Sequence, residues 1–186
     1  MTATTSTTNF ERALAFTQQW EGGFVVRASG DLSHHPNDPG GRTNLGITQA
    51  TYNQWRRSKQ LSPQDVLWIQ PQEVKWIYWE NYWIPSKCPE MVLPLAVAHF
   101  DTAVNFGVGG STKFLQSVWG VGVDGIWGPI TQGAFEKANT KETAQTIVEA
   151  RIRYRYQRVA QSPSQRVFLQ GWLNRDNALL ALVRRL

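Results

Sequence analysis

Glu21, in the run Trp20-Glu21-Gly22-Gly23, sits where its neighbours would tune a carboxyl for acid chemistry. Gly22-Gly23 is a helix stop signal, so a helix running up to it leaves Glu21 at the C-terminal end. There the negative pole of the helix opposes ionisation, and Trp20 and Phe24 on either side would desolvate the group further. Both effects raise a carboxyl pKa, and an acid still protonated near neutrality can give its proton to a departing oxygen. The plainer reading is a surface acid in a last helical turn, and the helix alone does not separate the two.

Other chemistries are poorly served. The chain has three histidines, His34, His35 and His99, and one cysteine, Cys88. A zinc hydrolase needs more ligands than this, and adjacent His34-His35 cannot readily share one metal; no metal site and no cofactor is expected. Cys88 lies in Lys-Cys-Pro-Glu, outside any helix start that would activate a thiolate nucleophile. Gly120, Gly122, Gly125 and Gly128 surround Asp124 in a segment that reads as a tight loop between helices. No Gly-Lys-Ser/Thr follows it, so it is not a phosphate cradle.

The elements that must position these residues are largely helical. Thr8-Asn9-Phe10-Glu11 has the form of a capping box, placing a helix start at Thr8 after a flexible N-terminus over 1–9. Phe10, Ala13, Leu14, Thr17 and Trp20 then fall on one helix face. Residues 24–48 are dense in turn formers with short β-prone pieces, which predicts a small hairpin or irregular sheet, and Thr48 can N-cap a helix over Gln49–Ser58. Pro63–Trp83 carries a helical pattern in which Trp76, Trp79, Tyr82 and Trp83 are expected mostly to pack, though a ring among them could face a glycan. The stretch Pro94–Phe106 is apolar on most sides and should be the buried central helix. Asp101 and Asn105 share one face of it at i, i+4, and either line a cleft or satisfy backbone groups near Glu21. Further helices are predicted over 110–119, 129–138 and 141–160 and from Ser164 to the end. Leu179, Leu180, Leu182 and Val183 on the last of these are expected to dock on the core rather than on a membrane.

Bulk properties bound the class. With 186 residues, 41% of them hydrophobic, the chain can bury a real core as one compact domain or one with a small appendage. A single cysteine excludes an intramolecular disulfide framework. The N-terminus lacks the basic start and apolar run of a secretory signal, and no stretch is long and apolar enough to span a bilayer, so synthesis in the cytoplasm is expected. The net charge of +5 is uneven: from Arg151 to Leu186 there are eight Arg and a single acid, Asp176, a local net of +7. Such a C-terminus can be drawn to anionic wall polymers or membrane surfaces, whereas the basic tail is the sole feature favouring nucleic acid, and no nucleic-acid partner is expected.

Four blocks in order sharpen the reading: Phe10-x-x-Ala-Leu-x-Phe, Glu21-Gly-Gly-Phe, Asn37-Asp-Pro-Gly-Gly-Arg-Thr-Asn-Leu-Gly-Ile-Thr48 and Asp101-Thr-Ala-Val-Asn-Phe-Gly107. Together they resemble glycoside hydrolase family 108, a family of phage and bacterial N-acetylmuramidases. Val121-Gly-Val-Asp-Gly-Ile-Trp-Gly-Pro129 and Pro163–Arg175 resemble the predicted peptidoglycan-binding region that commonly follows the muramidase part. The resemblance implies a mainly α (α+β), lysozyme-like fold, with a small β-hairpin region after the first helix and a helical C-terminal part. It places a muramidase region over 10–109 and a helical peptidoglycan-binding-like region over 110–186, which forms either its own module or one compact unit with the first.

The same resemblance implies Glu21 as general acid, with Asp38 and Thr43 matching the Asp and Thr that hold or activate the attacking water; Asp101 and Asn105 on the central helix, and Asp124 and Trp127 in the peptidoglycan-binding-like segment, are the candidate substrate contacts. Asp38 follows Glu21 by seventeen residues, further than in the usual pattern, because Ala28–His35 reads as an insertion. The insertion brings Asp31 as an alternative second carboxylate; the Asp-Pro-Gly-Gly-x-Thr context favours Asp38. The implied activity is cleavage of the β-1,4 bond between N-acetylmuramic acid and N-acetylglucosamine in bacterial peptidoglycan. An endolysin-like monomer that reaches the wall after release is the expected biology. The alternative is a catalytically silent lysozyme-like domain that binds wall or protein.

Overall fold

Helix α1 runs from Ala3 to Trp20 in the computed structural model, which describes residues 3–21 and 42–186. It begins ahead of the expected Thr8 cap, so the segment expected as a flexible tail is helical from Ala3 onward. The run Ala3–Asn9 contains neither Pro nor Gly, and extending an existing helix costs far less than starting one. Gly22-Gly23, Phe24, Asp31, His34, His35, Asp38 and the first part of the expected hairpin lie outside the described residues.

The described chain forms two compact units, one comprising the residues up to Ala13 together with Tyr82–Leu186, the other Leu14–Asn81. In the smaller unit, strands β1 (Thr43–Asn44) and β2 (Ile47–Thr48) pair antiparallel, with Thr43 opposite Thr48 and Asn44 opposite Ile47. Helix α2 follows at once over Gln49–Ser58, and the Thr48 hydroxyl accepts from the Thr51 amide, the cap that the sequence predicts. The expected helix over Pro63–Trp83 is instead broken into a 3₁₀ turn at Val66–Trp68, helix α3 over Pro71–Tyr78 and a π-helical turn at Trp79–Trp83. Pro71 explains the break: it suits a first helical position but not an interior one, and Gln70 with Glu73 forms a reciprocal cap around it.

Buried Tyr52, Trp55, Val74, Ile77 and Tyr78 fill the space between α2 and α3. Polar ties close its edge: the Tyr52 hydroxyl donates to Glu73 at 2.7 Å, Arg56 pairs with Glu73 at 3.1 Å, and the Trp55 indole donates to Glu80 at 3.0 Å.

The larger unit is built on α4 (Leu93–Trp119), α5 (Pro129–Ala138), α6 (Lys141–Gln161) and α7 (Arg166–Arg185). Leu95, Ala96, Val97, Ala98, Phe100 and Ala103 are buried, so α4 is the central helix that its composition predicts. It continues beyond Phe106 after a kink at Gly107, whose φ of 77° and ψ of 161° are not helical and favour glycine. Past the kink the Val108 carbonyl accepts from the side chains of Ser111 and Thr112. On α1, Phe10 meets Trp83 and Phe100 edge to face. Leu179 and Val183 of α7 are fully buried, consistent with docking of the C-terminal helix on the core. Among the described residues no helix is long and apolar enough to cross a membrane.

Candidate functional site

Glu21 is the last residue held by α1, its amide donating to the Thr17 carbonyl at 3.2 Å. Its side chain is half-buried. What lies against it is the tip of the β1–β2 hairpin. Leu45 and Gly46 connect the strands with φ values of 51° and 78°, the double positive φ that a two-residue type I′ connection requires. Gly46 packs so closely that a Cβ built on it would lie 3.3 Å from the Glu21 Cβ, 3.5 Å from the Glu21 carbonyl oxygen and 2.7 Å from the hydroxyl of buried Tyr78. Leu45 adopts a conformation that Asn would take more cheaply, so the hairpin tip carries local strain beside the acid.

Thr43 stands on the first strand of this hairpin, half-buried. The hairpin is fixed from behind. Asn44 donates through its amide nitrogen to the Val66 and Leu67 carbonyls at 3.1 and 3.2 Å, and the Gln49 amide closes onto Val66 N–H at 2.6 Å and the Gln64 carbonyl at 2.9 Å. Arg42 at its root pairs with Asp65 at 2.9 Å. Glu21, Gly46 and Tyr78 thus meet at the hairpin tip, and Thr43 stands on the first strand of the same hairpin. Gly46 and Tyr78 were not singled out from sequence; the Leu-Gly pair between short β-prone pieces is the signal that marks the turn. Asp38 and Asp31 lie outside the described residues. Trp76 is half exposed in this unit and stacks on Trp55, and Trp68 is 64% exposed.

Asp101 and Asn105 serve a different purpose. Asp101 is 0% exposed, and its carboxylate accepts from Arg151 and Arg175 at 2.8 Å each. Arg151 also reaches Asp176, which pairs with Arg155 at 3.2 Å, and Arg155 donates to Asn105 at 2.7 Å. The result is an ion cluster joining α4, α6 and α7. Burial by itself would raise the Asp101 pKa, but Arg151 and Arg175 outweigh it and hold the carboxyl below its ordinary value. Buried and saturated in this way, Asp101 has no surface for a glycan, and its expected role as a substrate contact is corrected to a structural one. Three of the eight C-terminal Arg are consumed here, so the basic tail is less a surface feature than its count suggests.

Asp124 organises its own loop, accepting from the Ile126 amide at 2.8 Å and the Gln116 amide at 2.7 Å, and these bonds hold its carboxyl below the ordinary value. Gln116, almost fully buried, also donates to the Ile126 carbonyl and the Thr131 hydroxyl and accepts from the Gly125 amide. Nothing in the sequence pattern marks Gln116, because its partners lie eight to fifteen residues further along, in the loop and on α5. Trp127 donates to Gln132 at 2.8 Å and packs edge to face on Trp119 and Phe135, so most of its ring is committed to the interior.

His99 and Cys88 offer no competing chemistry. Both are fully buried; burial lowers the His99 pKa to about 3 and pushes the Cys88 thiol well above its ordinary value. Among the described residues no group of His, Cys, Asp and Glu is arranged to hold a metal ion.

The profile of the family described as Glycosyl hydrolase 108 matches residues 14–107, and that of Predicted Peptidoglycan domain matches residues 111–177. Among solved structures, that of Brucella abortus SagA is similar at a TM-score of 0.72 and 28% identity, over 95% of this chain and 94% of that chain. No curated protein matches the chain. The mainly α, lysozyme-like architecture agrees with the profile matches, peptidoglycan is the polymer acted on, and the chain belongs to the glycosyl hydrolase 108 family.

Proposed function

We propose that the chain is an N-acetylmuramidase in which Glu21 protonates the leaving oxygen of the β-1,4 bond between N-acetylmuramic acid and N-acetylglucosamine. The observation that carries this reading is the seating of Glu21 at the end of α1 against Gly46, on the hairpin that bears Thr43. A general acid must meet its oxygen within hydrogen-bond reach, and a carboxyl at a helix end braced by a tight turn loses little freedom on doing so. Thr43, with Asp38 across the lengthened loop, would hold the attacking water, Asp31 being the competing carboxylate. Residues 10–109 carry the hydrolysis in this reading and 110–186 retain the enzyme on the wall. The protein works as a monomer, made in the cytoplasm and released to the wall as an endolysin is.

The test is hydrolysis of purified peptidoglycan. Wild type releases reducing sugar ends; Glu21→Gln keeps its thermal unfolding and releases none. Release of free amino groups in their place identifies an amidase or peptidase and removes the proposal. Of the pair Asp38→Asn and Asp31→Asn, the first is expected to abolish turnover and the second to spare it.

A further inference from the structure

The second half of α4 and the outward side of α6 enclose a groove of about 520 Å³ in the larger unit, and nothing described above makes use of it. Its floor is aromatic. Phe106, Phe114 and Tyr154 meet edge to face with ring centroids 5.0 to 5.8 Å apart, and Tyr154 remains 37% exposed. Small residues keep the floor open: a Cβ on Gly110 would fall 3.0 Å from the Phe106 Cβ, and Ala150 faces it from α6.

The rim is cationic. Lys113 and Arg153 line it, both exposed, and no acidic side chain does. Neither makes an ion pair among the described residues, although Lys113 stands near enough to Asp124 to help lower its pKa. Arg153 is the outward member of the run Arg151-x-Arg153-x-Arg155, whose other two members are buried in the ion cluster. Gln157 adds an amide that can both donate and accept.

A groove with an exposed ring, two unpaired cations and no acid fits a ligand that is apolar on its faces and anionic at intervals. A peptidoglycan strand is such a ligand: pyranose faces and acetyl methyls pack on aromatic rings, and stem peptides carry carboxylates. A nucleic acid draws its affinity from a run of phosphates against many cations, which two do not supply. We propose that this groove is a wall-binding site, with the glycan against Tyr154 and stem-peptide carboxylates on Lys113 and Arg153. The proposal deepens the wall-binding reading of 110–186 and rests on it.

The test is sedimentation with purified sacculi, using the full chain bearing Glu21→Gln so that the polymer stays intact. Lys113→Glu/Arg153→Glu is expected to weaken retention by about tenfold or more, as loss of two charge-assisted contacts would. The Lys113→Gln/Arg153→Gln pair, which keeps the stems and is gentle on folding, loses retention in the same direction but less. The charge-matched control Arg166→Glu/Arg185→Glu, at exposed positions of α7 away from the groove lining, retains binding. Glycan stripped of its stem peptides binds the parent more weakly than intact sacculi do. Equal retention by the parent and both groove variants overturns the site, as does an equal loss in the control, which would mark a diffuse charge effect. Unaltered binding to stripped glycan overturns the carboxylate assignment. Failure of the parent itself to bind removes the wall-binding reading and the groove with it, an outcome distinct from the others.

Discussion

Gly46 is the position at which a single methyl group should separate the proposed acid from its support. Its φ of 78° costs an alanine about 1–2 kcal/mol on its own. The added Cβ would also stand 2.7 Å from the Tyr78 hydroxyl, closer than real contacts allow, and Tyr78 is only 2% exposed and cannot swing away. Overpacking of this kind costs roughly 1–3 kcal/mol more, so Gly46→Ala should lose about 2–5 kcal/mol, a fall of roughly 5–15 °C in the unfolding midpoint for a chain of this size. If the hairpin yields instead, it moves away from Glu21, whose Cβ is 3.3 Å from the new atom, and a displacement near 1 Å costs on the order of 100-fold in turnover. The two penalties can be told apart by Tyr78→Phe, which removes the clashing oxygen. Gly46→Ala/Tyr78→Phe should then be less destabilised than the sum of the single variants by about 1 kcal/mol or more. Thermal unfolding and release of reducing ends, measured on all four proteins, give the cycle. Wild-type stability and turnover in Gly46→Ala, or strict additivity in the double variant, would refute the packing argument.

Two further expectations concern the larger unit. Asp101→Asn removes the buried charge that Arg151 and Arg175 share, leaving Arg151 with Asp176 as its acid, and should cost about 3–5 kcal/mol in denaturant unfolding, whereas a variant as stable as wild type but with raised KM would return Asp101 to the substrate. Because the folded-state pKa of Asp101 is depressed, its contribution is present above the unfolded value of 3.8 and fades as pH falls below it. His99 acts in a separate window. Buried and neutral, with a pKa lowered from 6.5 to about 3, it favours the fold fully above pH 6.5 and progressively less as pH falls, because the unfolded chain takes up the proton first. Wild type should therefore lose up to about 1.4 kcal/mol per pH unit between pH 6 and 4 relative to His99→Leu, and parallel stability profiles for the two would contradict the burial argument.

Much of the scaffold was legible because it rests on local rules. Thr48 caps α2 through a hydroxyl three residues from its donor, and the apolar density of Pro94–Phe106 identifies the central helix without knowledge of any neighbour. The departures are also local. Pro71 divides a pattern that hydrophobic spacing alone joined, and Gly107 bends a helix instead of ending it, its φ of 77° and ψ of 161° breaking the run at one residue. What sequence hid is pairing over distance. Asp101 meets Arg151 and Arg175 from fifty and seventy-four residues away, and no spacing rule joins them.

That hidden pairing changes what a family motif means at each position. Asp101-Thr-Ala-Val-Asn-Phe-Gly107 helped to point to the glycosyl hydrolase 108 family, and two of its polar residues were therefore natural candidates for substrate contact. In the structure those two close a buried ion cluster, and the Gly supplies the kink that follows it. The signal separating fold from chemistry was present on the partner helix instead. Buried Ala144, Ile147, Val148, Arg151, Arg155 and Val159 lie along one continuous stripe of α6, so two Arg side chains occupy positions that helical spacing gives to the core. A charged residue on an apolar stripe demands a buried counter-charge, and Asp101, on the other buried helix, is one of the few acids able to supply it. The hairpin motif behaves oppositely: its Asn44 and Gly46 also serve the fold, but what they brace is a turn pressed against Glu21. The proposed chemistry thus depends less on how many motif residues reach the substrate than on the rigidity of the few that hold the acid.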